Sequence, residues 1–265
     1  MAHPEYELED RAILHRIDYD KGTVELYGKT YELRDKNLPT IDPTDPYKLT
    51  PEEEEVMIAL EASVVSSVKL REHIDFLYAK GSLYKICNGM VFYHGCIPMT
   101  EDGQFEDVHF NGKWIKGATY MKEIDKEIRE AYYNFEEGPE RAEAASIMWY
   151  LWLAPKSPLF GKGKMTTFER LFIADKETHR EKKSPYFTLI ERQDVAELIL
   201  EDFGLDPKTG MVLNGHVPVK YKDGENPVKG GGKLIVIDGG ISKAYQKTTG
   251  IAGYTAISTS KHFYL

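Results

Sequence analysis

Met90-Val91-Phe92-Tyr93-His94-Gly95-Cys96-Ile97-Pro98 is an apolar run that closes on a histidine and a glycine. A short continuous apolar run bounded by turn residues reads as a buried strand. His94 stands at its exit. Met211-Val212-Leu213-Asn214-Gly215-His216-Val217-Pro218 has the same character, and Leu234-Ile-Val-Ile237 ends a third time on a polar residue, Asp238, followed by Gly239-Gly240. Strands of this kind set among helices give a mixed α/β (α+β) class. Such folds place functional groups at strand ends. The expectation is that His94 and His216 meet in space as two ligands of one metal ion.

Working outward, Asn88-Gly89 before Met90 is a strong short hairpin signal, so Leu83–Cys87 pairs with the strand that carries His94. A two-residue turn there sets Cys87 against Met90, not against Cys96. Asn111-Gly112 marks a smaller hairpin. Thr50-Pro51-Glu52-Glu53 opens the clearest helix: Thr50 as N-cap, Pro51 in the first turn and Glu53 completing a capping box. The pattern Val56, Leu60, Val64, Val68, Ile74, Leu77 carries it to Gly81, with a possible break at Ser66-Ser67. Further helices are expected over residues 119–134, 139–153, 167–174 and 194–203. The second of these is apolar nearly all round and is expected to be buried. Residues 1–10 form a polar arm, 13–33 a hairpin and 35–50 a proline-rich extended stretch. The expected domain division is 1–50, an N-terminal hairpin and linker, and 51–265.

A chain of 265 residues can bury a substantial core, and 29% charged with 42% hydrophobic residues is ordinary globular composition. A net charge of −9 argues against a nucleic-acid partner, which calls for a basic face. No apolar run approaches the roughly 20 residues of a membrane span. Two cysteines without a pairing logic, and no secretory signal, point to a reducing cytoplasm.

Gly215 and Pro218 restrict the backbone around His216, and an imidazole held in one direction suits a metal. The structural alternative, a histidine capping a strand edge or turn, stands beside the ligand reading for both His94 and His216. Asp238 reads as a group that orients a ligand histidine or meets a sugar hydroxyl, or else as the polar cap of a tight turn. Lys162, Lys164, Arg170, Lys176, Arg180, Lys182 and Lys183 form a basic stretch with interspersed hydroxyls, which suits phosphate or simply solvent. Asp107-Val-His109 has a metal-ligand look but lies in a polar setting, so a solvated strand edge is the better reading.

The stretches PTIDPTDPYKLT, FYHGCIP, IMWYLW, SPLFGKGKMTTFERLFIADK, NGHVPVK and GKLIVIDGGISKAYQKTTGIAGYT resemble the C-terminal part of the class 3 fructose-1,6-bisphosphatases, a branch of the calcineurin-like metallophosphatases. The resemblance runs over nearly the whole chain. It implies a sandwich of mixed sheets flanked by helices, here incomplete, and a two-metal, manganese-dependent site. The implied reaction is hydrolysis of the 1-phosphate of fructose 1,6-bisphosphate in gluconeogenesis. By motif, His94 and His216 are the metal ligands. Asp238, Lys164, Arg170 and Lys243 are candidate supporting or substrate-binding groups.

The superfamily's motifs Asp-x-His, Gly-Asp-x-x-Asp-Arg-Gly and Gly-Asn-His-Asp/Glu do not occur between Met1 and Tyr93. Two neutral imidazoles provide no bridging anion for a hard cation. The chain alone is therefore expected to be inactive, and either to pair with the missing N-terminal half or to self-associate. The alternative is a non-catalytic interaction module that pairs with a complete phosphatase.

Overall fold

The computed structural model describes residues 6–134, 138–251 and 253–265. The first five residues of the polar arm, with His3, lie outside them. In chain order the elements are β1 (Ile17–Asp18), β2 (Thr23–Leu26), β3 (Lys29–Glu32), α1 (Pro51–Val65), α2 (Val68–Lys80), β4 (Tyr84–Cys87), β5 (Met90–Tyr93), β6 (Val108–Phe110) and β7 (Lys113–Ile115). Then follow α3 (Gly117–Tyr133), α4 (Pro139–Leu153), α5 (Thr167–Phe172), α6 (Tyr186–Leu189), α7 (Gln193–Asp202), β8 (Met211–Asn214), β9 (Val228–Lys229) and β10 (Leu234–Val236). A short α8 (Gln246–Thr249) and a two-stranded ribbon, β11 (Ile257–Ser258) with β12 (Phe263–Tyr264), complete it. The class is mixed α/β, as expected. Among the described residues no helix is long and apolar enough to cross a membrane.

The chain divides into two compact units. One holds the residues up to Gly81 together with Lys164–Lys182; the other holds Ser82–Gly163 and Lys183–Leu265. In the first unit β1, β2 and β3 form an antiparallel meander over the stretch read as a hairpin. Its turns fall where Gly22 and Gly28 stand, both at positive φ. Ile17, Val24, Leu26 and Leu33 close on Ile173, with Phe168 and Phe172 of α5 packed against them.

Helix α1 starts as its sequence dictates. The Thr50 side chain accepts from the Glu53 backbone N–H at 3.2 Å, and the Glu53 carboxylate accepts from the Thr50 N–H at 2.9 Å. The chain breaks at Ser66-Ser67, and the Ser67 hydroxyl caps α2 by accepting from the Leu70 N–H. Neither helix contains a buried residue.

The second unit is organised on a five-stranded sheet in the order β4-β5-β8-β10-β9. The three central strands are parallel and the two outer pairings antiparallel. The Asn88-Gly89 turn has both residues at positive φ, the geometry of a type I′ hairpin, and Cys87 faces Met90 across it. Asn111-Gly112 does the same between β6 and β7. Val91, Val212, Leu213, Leu234, Ile235 and Val236 are buried along the central strands. Each such side chain contributes about 1.5–3 kcal/mol relative to exposure. Helix α7 packs on β8 and buries Val195, Ala196, Ile199 and Leu200.

Helices α3 and α4 pack together, with the Tyr120 and Tyr150 hydroxyls in contact. Helix α4 is not buried all round, contrary to its composition. Ile147, Tyr150 and Leu151 face inward, while Trp149 and Trp152 are exposed and stack at 6.3 Å. At 100° per residue one neighbouring helix covers one face, and residues three apart share the other.

Candidate metal centre

The register of the parallel strands builds the site. Tyr93 of β5 lies beside Asn214 of β8, which lies beside Val236 of β10. One step beyond, the Gly215 N–H donates to the His94 carbonyl at 3.0 Å, and the Ile237 N–H donates to the Asn214 carbonyl at 2.9 Å. His94, His216 and Asp238 therefore leave the carboxyl ends of three adjacent parallel strands. That edge is where open α/β sheets bind ligands.

The two imidazoles converge. His216 Nδ1 lies 3.0 Å from His94 Nε2, with ring centroids 5.0 Å apart and planes nearly perpendicular. His216 Nε2 lies 3.3 Å from the Phe160 carbonyl. A carbonyl only accepts, so Nε2 carries the proton and the Nδ1 lone pair faces His94. A backbone carbonyl on the far ring nitrogen is the usual way a ligand histidine is oriented. The Phe187 ring stacks on His216 at 6.0 Å. Burial holds the His216 imidazole below its ordinary pKa. His94 and Lys162 push the same way, against the Phe160 carbonyl and Asp238. The ring is thus neutral near pH 7, the form that binds metals.

The backbone at His216 is itself unusual. Its φ is 70°, and the Val217 N–H donates back to the Gly215 carbonyl at 2.9 Å. A one-residue turn closed at positive φ is the rare, strained γ-turn. Strain of this kind gathers at functional sites. His216→Gly and His216→Ala both delete the ring, but only glycine takes this φ freely. We expect the glycine variant to be the more stable of the two by about 1 kcal/mol in urea unfolding; equal midpoints would contradict the strain.

Asn214 joins the two motifs. Its side chain is buried in the middle strand, and Nδ2 reaches the carbonyls of His94 at 3.2 Å and Gly95 at 2.5 Å. Its Oδ1 is buried without a hydrogen-bond partner. One amide from the middle strand thereby holds the point where the neighbouring strand releases its histidine. The sequence showed Asn214 only as part of a motif. Phe160 and Phe187 carried no signal, because their roles depend on a loop and a short helix folding back onto His216.

The other candidates fall as follows. Asp238 Oδ1 accepts from the Gly240 N–H at 2.9 Å, so its carboxylate caps its own turn while acting electrostatically on His216. Lys243 is exposed in the turn before α8. Lys164 and Arg170 belong to the first unit. There Lys164 pairs with the buried Glu169 at 3.4 Å and lies 3.5 Å from the Tyr27 ring centroid. Arg170 bonds the Thr166 hydroxyl at 3.0 Å and approaches Glu181 at 3.7 Å. The basic stretch is thus divided: Lys162 and Lys183 pair across a β-bridge in the second unit, and residues 164–182 fall in the first. His109 sits within β6, its ring tilted on Trp114. Both cysteines are free; Cys96 is buried, and burial pushes its thiol up to about 12, too high for a nucleophile.

The donor set fits part of a metal shell. Two imidazole nitrogens bound to one ion at about 2.1 Å stand about 3 Å apart at the 90° angle of an octahedral site, the separation between His94 and His216. Among the described residues no group of three or more His, Cys, Asp or Glu could hold an ion. The pair therefore offers two imidazole nitrogens that could serve as ligands, short of a full shell.

The whole chain, residues 1–265, matches the family described as Firmicute fructose-1,6-bisphosphatase. It is 50% identical over 259 residues to a protein named fructose-1,6-bisphosphatase class 3 from Alkaliphilus metalliredigens, covering 97% of this chain and 39% of that one. A protein of the same name from Clostridium tetani is 50% identical over 263 residues, 99% of this chain and 40% of the relative. One from Listeria innocua is 47% identical over 256 residues, again 97% and 39%. The chain thus spans about two-fifths of the length of these relatives. No solved structure matches it significantly.

Proposed function

Since the chain belongs to the Firmicute fructose-1,6-bisphosphatase family, we propose that it forms the C-terminal part of an enzyme that hydrolyses the 1-phosphate of fructose 1,6-bisphosphate. His94 and His216 would be two ligands of one of two manganese ions. The remaining ligands, bridging carboxylates included, come from the polypeptide that makes up the rest of the relatives' length. On this reading residues 51–265 belong to a calcineurin-like sandwich, and 1–50 are its preceding hairpin and linker. The enzyme serves gluconeogenesis in the cytoplasm.

The observation that carries the proposal is the 3.0 Å approach of His94 Nε2 to His216 Nδ1 at the ends of neighbouring parallel strands. Bound divalent ions would supply a water of lowered pKa and positive charge for the phosphoryl oxygens. This chain's residues do the positioning. The Phe160 carbonyl keeps the His216 proton on Nε2, and Phe187 limits rotation of its ring. Asn214 holds the exit of His94 in register with the exit of His216. Asp238 counters part of the effect that His94 and Lys162 have on the His216 imidazole.

The test is phosphate release from fructose 1,6-bisphosphate with manganese, by this chain alone and mixed with the unmatched polypeptide of the Alkaliphilus relative. We expect no turnover alone and turnover in the mixture. His94→Ala or His216→Ala should then each reduce it by at least about 100-fold, since even groups that merely orient a ligand cost 10–100-fold. Enzyme-like turnover by the isolated chain, or unchanged manganese affinity in His216→Ala, would remove the basis of the proposal.

A further inference from the structure

Helices α1 and α2 are well formed yet contain no fully buried residue. Both are capped by side chains, and no residue of either lies in a core. Val56, Met57 and Ile58 are consecutive and all exposed. At 100° per residue they point to three sides of α1. Val64, Val65 and Val68 continue the apolar surface across the Ser66-Ser67 break, and Phe76 and Leu77 end it at 67% and 62% exposure. A helix that is apolar on several sides belongs in an interior. An apolar surface of this extent marks a contact with another polypeptide.

We propose that the α1–α2 segment is the docking surface for the polypeptide that makes up the remaining three-fifths or so of the relatives' length, and that this polypeptide surrounds α1 on more than one side. The inference rests on the reading of the chain as one part of a longer bisphosphatase. Two observations select this occupant over a second copy of the chain. A flat or convex partner covers one side of a helix, so another α1–α2 pair would leave Val56, Met57 or Ile58 in water. Residues 51–80 also carry seven acidic and three basic side chains, and the whole chain is at −9, so two copies meeting here would repel. A partner of several hundred residues is large enough to enclose α1 on more than one side.

The test uses the full chain and the unmatched polypeptide of the Alkaliphilus relative, mixed and followed by analytical ultracentrifugation. The variant is Met57→Lys with Leu60→Lys and Phe76→Lys, all at exposed positions. The expected result is a one-to-one complex with wild type, weakened at least 100-fold in the variant, with the chain's far-UV circular dichroism unchanged. Should the variant lose its fold, hydrogen exchange on wild type decides: amides of residues 51–80 must gain protection when the complementary polypeptide is added. The proposal is overturned if no complex forms. It is equally overturned if the variant binds as well as wild type, if 51–80 stays unprotected, or if wild type dimerises through these residues and the added polypeptide does not compete. Phosphate release is assayed on the same samples. A complex that forms through α1–α2 but releases no phosphate supports the docking surface and counts only against the catalytic reading.

Discussion

Asn214→Asp is expected to lower stability by about 3–5 kcal/mol at pH 7, the cost of an uncompensated buried charge. The substitution changes one NH₂ to one oxygen, and that atom faces the carbonyls of His94 and Gly95. A carboxylate there finds only acceptors. Its proton affinity in the folded chain must rise above the unfolded value of about 3.9. The folded state then holds more protons than the unfolded state between those two values, so stability falls as pH rises through that window and returns below it. Urea unfolding followed by near-UV circular dichroism at pH 4 and pH 7 reads the effect directly. Asn214→Ala takes this donor from the Gly95 carbonyl, while the His94 carbonyl keeps the Gly215 N–H, and should cost about 1–3 kcal/mol with no comparable pH dependence. An aspartate variant as stable as wild type at pH 7 would show that the amide does not clamp the two strand ends.

Gly95→Ala and Gly215→Ala should differ sharply although each glycine neighbours a candidate ligand. A Cβ on Gly95 would lie 2.1 Å from the Pro158 carbonyl oxygen and 3.4 Å from Leu159 Cα, backbone atoms that cannot swing aside. The same carbonyl accepts from the Cys96 N–H at 2.8 Å, so relief of the clash breaks that bond. We expect a loss of about 3 kcal/mol, at the upper end for inserting a methyl group into packed structure, and a shift of the 158–160 loop. Because the Phe160 carbonyl holds His216, the NMR signals of the His216 ring should move as well. A Cβ on Gly215 meets the His94 carbonyl oxygen at 3.5 Å and Nδ1 at 3.7 Å, ordinary contact. Gly215→Ala should cost under about 1 kcal/mol. Equal losses in the two variants would refute the assignment of Gly95 to a close backbone crossing.

Much of the local structure was legible because local chemistry specifies it. The Asn88-Gly89 and Asn111-Gly112 turns, the capping box at Thr50 and the break at Ser66-Ser67 each depend on residues within one turn of each other. Periodicity was less informative where neighbours decide burial. The pattern through Val56, Leu60 and Val64 correctly marked a helix, but these residues are exposed. Trp149 and Trp152 likewise fall on the uncovered side of α4. The pair of ligand candidates was readable from two apolar runs ending in histidine. Their fittings were not: the Phe160 carbonyl, the Phe187 ring and the amide of Asn214 meet the two histidines through contacts 29 to 120 residues apart in sequence or through backbone atoms that every residue shares.

By itself the sequence determined where the strands end, which turns join them and which two imidazoles stand at those ends, since backbone preference and hydrophobic run length act over a few residues. Only the tertiary structure decided that β5, β8 and β10 lie side by side in parallel, with Tyr93, Asn214 and Val236 in one row. Strand order and register come from packing and hydrogen bonding between residues 22 apart for β8 with β10 and 121 apart for β5 with β8, and it is that register which brings two separated histidines together.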